Sequence, residues 1–191
     1  MSKYEDSLLV RDALQLYFSE YHFADGGYTL KWFKIKLGRL YIPLPNIKSR
    51  VDAVKIHDVH HLVTGYNADW KGEVEIGAWE IAAGCEKKTV AWLLNLGSIF
   101  VGIFLYPRSL FNAFMRGRKC VTSLYYNTIY NELLDKTLGE LRKKIKIDLP
   151  GKNLTSDYLL FAFWCFTALT YHLLIALLLF GGLYICYLLL R

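Results

Sequence analysis

"HDVHHLVTGYNADWKGEVE", His57 to Glu75, places three histidines within five positions and follows them with a glycine and two glutamates. On a helix, His57 and His61 lie one turn apart on the same face, with His60 near that side and Asp58 about 100° round the axis. Gly65 is a natural C-terminal stop for such a helix. After the loop "YNAD", Asp69 is a natural N-cap for a second helix running from Trp70 to Ala83. The stretch therefore reads as two helices that can fold back antiparallel around Gly65. Apolar positions at Val51, Val54, Ile56 and Val59 extend the first of them back to Ile47.

Two imidazoles at i and i+4 are a recurrent way to hold a first-row metal, and they need a further ligand from another element. Glu73, in the first turn of the second helix, is the candidate. Asp58 is either a fourth ligand or a group that orients a histidine. Glu80 follows Glu73 by seven residues, so it shares that face two turns on, as a second-shell acceptor or a general base and hence the candidate catalytic residue. Glu75 points elsewhere, towards solvent. His60 is the bystander, donating to a backbone carbonyl or facing the helix interface. The mixed N/O set suits zinc, and iron and manganese also accept it.

Outward from this core the pattern stays mostly helical. Tyr4 to Tyr21 reads as an amphipathic helix with Leu8, Leu9, Leu14 and Phe18 near one side, broken by "ADGGY". "KIKL" and "RLYI" alternate around Gly38 as a β-hairpin, with Pro43 and Pro45 expected to end its second strand. Val90 to Tyr106 is an apolar helix, either buried or dipping into a membrane. "RSLFNAFMRGRKC" is basic and amphipathic. The stretch from Val121 to Ile147 reads as two short helices with acids early and bases late. "DLPGKN" breaks the chain at Asp148 to Asn153, giving a helical metal-binding domain over 1–154 and a hydrophobic anchor over 155–191. That anchor is one tilted transmembrane or membrane-embedded helix, or a tight hairpin turning near Thr170 to His172 or at Gly181-Gly182.

The bulk numbers agree with membrane contact: 54% of the 191 residues are hydrophobic and the formal net charge is +6. Nucleic acid is the least fitting partner, because no recognition motif accompanies the basic residues. The bases Arg142, Lys143, Lys144, Lys146 and Lys152 precede the tail and place the main domain on the cytoplasmic, or matrix, side. The start carries acids and no long apolar run, unlike a secretory or transit signal. The four cysteines form no CxxC pair, which points to reduced thiols. Arg116, Arg118 and Lys119 are either a solvated basic face or contacts to lipid phosphates and a head group. Tyr125, Tyr126 and Tyr130 either line a cavity mouth or pack in the core.

His57, Asp58, His61 and Glu73 form the pattern HDxxH-x11-E. That pattern, with "TGY" and "GEVEIGAWE" beside it, resembles the signature of the ubiquinone (coenzyme Q) biosynthesis protein 4 family. "GRKCVTSLYYNTIYNELLDKTLGELRKKIKI" resembles that family's closing region, so the likeness covers about Ile47 to Ile147. It implies a mostly helical fold, a metal on those four positions, a greasy cavity for a polyprenyl chain and attachment to the membrane where quinone is made. It also implies loss of the C1 carboxyl group from a polyprenylated hydroxybenzoate with hydroxylation at that carbon, a metal-dependent decarboxylase or lyase reaction, alongside other quinone-biosynthesis proteins. The long tail and the apolar Val90 to Tyr106 lie outside that pattern. Two further readings stand beside it. One is a non-catalytic polyprenyl-lipid scaffold with a structural metal. The other is a metal-dependent phosphohydrolase, for which His22 and Asp135 are the nearest additional ligands.

Overall fold

The computed structural model describes residues 3–37 and 40–191. Among them lie eight helices and one two-stranded sheet, in the order α1 (Val10–Tyr21), β1 (Trp32–Leu37), β2 (Leu40–Pro45), α2 (Lys48–Thr64), α3 (Trp70–Ala83), α4 (Thr89–Leu105), α5 (Pro107–Arg118), α6 (Tyr130–Leu133), α7 (Leu138–Ile145) and α8 (Thr155–Leu189). The fold is the expected one: mostly α, with a small hairpin near the N-terminus and a long apolar C-terminal helix.

The α2–α3 pair forms as its punctuation dictates. Gly65 closes α2 in the left-handed region (φ 79°), with its N–H on the His61 carbonyl. Asp69 caps α3 by accepting from the Gly72 N–H at 2.7 Å. α3 is buried almost all round, as a helix with apolar residues on every side must be. Its Ile76 and Trp79 face one core with α1, α2 and α7. Its Val74, Ala78, Ile81 and Ala82 face a second core with α4, α5 and α8. Each large apolar side chain buried this way contributes about 1.5–3 kcal/mol. Two glycines let the neighbours come close enough. A Cβ on Gly77 would lie 2.5 Å from the Ser98 Cβ of α4, and one on Gly117 of α5 would lie 2.5 Å from the Trp79 carbonyl oxygen.

Several expectations are corrected. α1 begins at Val10, not Tyr4, because Leu8, Leu9 and Val10 bond the backbone around Lys136 to Leu138 at the start of α7. Pro43 and Pro45 lie within β2 rather than ending it. The Asn46 N–H donates to Lys31 at 2.9 Å, so by alternation the nitrogens of residues 45 and 43 face the open edge, where a missing N–H costs nothing. The hairpin turn expected at Gly38 lies outside the described residues. α8 is one unbroken helix through Thr170–His172 and Gly181-Gly182, with no hairpin at either place. Its Ala168 belongs to the second core, with Leu160, Phe161 and Trp164 packed against it. α4 packs one face between α3 and α8 while Leu93, Leu94, Phe104 and Leu105 remain exposed.

Candidate metal centre

α2 and α3 bring His57, His61 and Glu73 together. One donor atom from each lies within 4.8 Å of the others, and the group could hold a metal ion. His57 Nε2 and His61 Nε2 are 3.1 Å apart. The Glu73 carboxylate places one oxygen 3.5 Å from His57 Nε2 and the other 3.4 Å from His61 Nε2.

The far sides of the rings fix which nitrogens point inward as acceptors. His61 Nδ1 lies 3.0 Å from the Tyr66 carbonyl, which can only accept, so Nδ1 carries the proton. His57 Nδ1 donates in the same way to Glu80 Oε1 at 3.0 Å. Both Nε2 lone pairs then converge on a carboxylate, and acceptors at this range repel unless a cation or a proton lies among them. Burial alone would lower the basicity of His57, but the charge of Glu80 and the bonds from Glu73 and Glu80 outweigh it and raise its pKa well above the ordinary value. A metal cation bound among these donors would take the place of any such proton. The donor separations fit such an ion: ligands about 2.0–2.1 Å from a tetrahedral zinc lie about 3.3 Å from one another.

Glu80 is 1% exposed and accepts from four donors. They are His57 Nδ1, His60 Nδ1 at 2.6 Å, Asn95 Nδ2 at 2.7 Å and the Tyr125 hydroxyl at 3.1 Å. Burial disfavours its charge, yet the adjacent His57 and His60 hold its carboxyl well below the usual carboxylate range. Of its two sequence readings, the acceptor that orients His57 is the one these bonds describe.

His60 is fully buried and neutral by its contacts. Its Nε2 accepts the Leu124 N–H at 2.9 Å, which leaves Nδ1–H for Glu80, so it does not donate to a carbonyl. Asp58 stands outside the group of three. Its Oδ2 accepts from the Tyr28 hydroxyl at 2.5 Å, and burial raises its carboxyl to about 6. Glu75 pairs with Lys71 at 2.9 Å and is only 16% exposed at its side chain, not solvated.

Other expected residues take structural places. Arg116 donates to the Thr64 carbonyl at 2.8 Å and grips Asp148 through Nε and Nη2. Arg118 donates to Ala82 and pairs with Asp157 at 2.8 Å, at the foot of α8. Arg142 donates to the Leu62 and Val63 carbonyls and pairs with Asp6. These arginines donate to the last carbonyls of α2 and α3, where their positive charge complements the helix dipole. Tyr125 is core and Tyr126 is partly exposed, while Tyr130 shares the Lys55 ammonium with Tyr28. His22 caps α1 and Asp135 pairs with Arg11, so neither extends the centre as a phosphohydrolase would need.

The centre opens on a cavity of about 490 Å³, a size suited to a small organic molecule. Phe23, Gly26 and Gly27 precede the hairpin in its wall, Phe33 and Lys34 come from β1, Arg50, Ala53 and Val54 from α2, and Ala91, Leu94 and Ser98 from α4. Asn95 and Arg50 are the site residues that sequence reasoning missed. A lone asparagine in an apolar helix was the available signal, since a buried amide must find a partner. Comparison of the chain with protein-family models, curated proteins and solved structures gives no match.

Proposed function

We propose that this chain is a membrane-anchored metalloprotein of ubiquinone biosynthesis that acts on a polyprenylated hydroxybenzoate, in loss of the C1 carboxyl group with hydroxylation at that carbon. The observation that carries this reading is the convergence of His57 Nε2, His61 Nε2 and Glu73 at the wall of a cavity lined by both apolar and charged residues. Three protein ligands leave a coordination position for substrate or water, as catalytic zinc sites do and closed structural sites do not. The HDxxH-x11-E resemblance supplies the substrate class.

A divalent ion, zinc by its donor set, supplies when bound a positive charge that holds a head-group oxygen and stabilises charge on the ring. The chain's own residues do the remaining work. Glu80 and the Tyr66 carbonyl fix the two imidazoles. Phe23, Val54, Ala91 and Leu94 keep water from the head group, which strengthens every charge interaction there. In the reaction the bond from C1 to the carboxyl carbon breaks, carbon dioxide leaves and the electron pair stays on the ring. Hydroxylation at the same carbon is a two-electron oxidation with dioxygen as co-substrate, so that the carboxylic acid, dioxygen and water give the phenol, carbon dioxide and hydrogen peroxide.

α8 supports the membrane part of the reading, being long and apolar enough to cross a bilayer, with a mean hydropathy of 2.2 in its most apolar window. A polyprenyl substrate stays in lipid, at about 0.8 kcal/mol per buried methylene, so its enzyme has to meet it there. Lys143, Lys144, Lys146 and Lys152 before the helix favour a cytoplasmic or matrix position for the domain.

The test uses the full chain in lipid nanodiscs, with elemental analysis of bound metal and carboxyl-labelled prenylated 4-hydroxybenzoate in air. Wild type is expected to hold metal and release labelled carbon dioxide, and His61→Ala to lose both. Full metal and full release in folded His61→Ala would remove the ligand assignment. Metal-loaded wild type that releases nothing would remove the catalytic reading.

A further inference from the structure

Arg50 lies on the cavity face of α2, seven residues and so about 10 Å along the axis before His57. Its guanidinium is fixed from two sides. Nη1 donates to Asn46 Oδ1 at 2.7 Å, and the Phe33 ring centre lies 3.7 Å from the guanidinium carbon. Asn46 is itself tied down, its amide donating to the Gly27 and Leu30 carbonyls at 2.9 and 2.8 Å. The arginine therefore cannot turn out to water without leaving Phe33 and Asn46.

Held this way, Arg50 keeps its Nε buried with no hydrogen-bond partner. Leaving a buried donor of a charged group unpaired is costly. No ion pair to Arg50 forms among the described residues, and Asp58, the acid whose charge it feels, is engaged by Tyr28. Lys34 adds a second cation to the same wall. A fixed, half-buried guanidinium on the cavity wall, with a donor that no protein group satisfies, suits a carboxylate.

We propose that Arg50 is the anion-recognition residue of the cavity and takes the carboxylate of the aromatic head group on its guanidinium, two helical turns from the His57–His61–Glu73 centre. The identity of the head group rests on the reading under Proposed function. The recognition of a carboxylate rests on Arg50 itself.

The experiment is calorimetric titration of the zinc-loaded full chain in detergent with 4-hydroxybenzoate and with its neutral isostere 4-hydroxybenzamide. Wild type binds the acid more tightly than the amide. Arg50→Gln weakens the acid about 10-fold or more, leaves the amide within about 2-fold, and keeps its zinc. Arg50→Lys retains the charge without the fork and falls between; it carries the test alone if the glutamine variant does not fold. Wild type that fails to prefer the acid, or variants that bind acid and amide as wild type does, overturn the inference. Arg50-dependent preference for the acid without release of carbon dioxide leaves the inference standing and removes the catalytic reading. Release of carbon dioxide without that preference does the reverse.

Discussion

Glu80 collects two imidazole N–H groups, an amide and a phenol on one carboxylate, which makes it the residue that orders the metal centre from behind. Replacing it with glutamine keeps the volume but offers one acceptor oxygen and turns an N–H towards groups that need an acceptor. We expect Glu80→Gln to lower zinc affinity about 10- to 100-fold, the usual effect of removing a partner behind a ligand. Competition with a chromogenic chelator measures it, with circular dichroism to establish that the helices persist. Unchanged affinity in a folded variant would show that His57 needs no orienting carboxylate. At this scale the sequence revealed the groups that local periodicity places: His57 and His61 by their four-residue spacing, Glu73 by its place just past the Asp69 cap. It hid Asn95 and Arg50, whose roles depend on α4 and on the hairpin closing over α2. It also left Asp58 open between two roles, because a carboxylate 100° round from His57 can serve either and Tyr28, thirty residues earlier, engages it here.

Among the elements, α3 is the wedge on which the rest assembles, and the arginines at the ends of α2 and α3 hold it in register. Arg116 joins the last turn of α2 to Asp148 beyond α7. Its hydrogen bond holds the Asp148 carboxyl below its ordinary range, and partial burial opposes this without reversing it. An acid whose folded pKa is lowered stabilises the fold above its unfolded value and loses that contribution as pH falls through the lowered one. Because Asp148 is half exposed, the pair is worth about 0.5–1 kcal/mol. Asp148→Asn should therefore lower the melting temperature by about 1–4 °C near pH 7 and by nothing measurable near pH 2, as thermal melts in detergent would read. An equal loss at both pH values would mean that charge is not the cause. The α2 and α3 boundaries could be read in advance because Gly65 and Asp69 act locally. The late start of α1 and the prolines inside β2 could not, since each follows from a partner strand or segment distant in sequence.

Across the whole molecule, α8 divides into two parts with different surroundings. Up to His172 it packs on α4 and α5, with Trp164 stacked on Trp92 and His172 on Phe100 at 4.3 Å. From Leu173 onward nearly every side chain is exposed, over a helical length of about 26 Å, close to the thickness of a hydrocarbon core. Deleting Leu173 to Arg191 should thus move the protein from the membrane pellet to the soluble fraction with its metal retained. Deleting from Ser156 would in addition strip the second core of Phe161, Trp164 and Ala168. A form lacking residues 173–191 that stays in the pellet after a high-salt wash would assign the anchoring to the exposed face of α4. The absence of a break in α8 also couples rotation to length. One residue inserted after His172 would lift the distal half by about 1.5 Å but swing it about 100° around the axis. The direction in which the distal half presents its side chains relative to the cavity is thereby written into the residue count of a single rod, far more sharply than its distance from it.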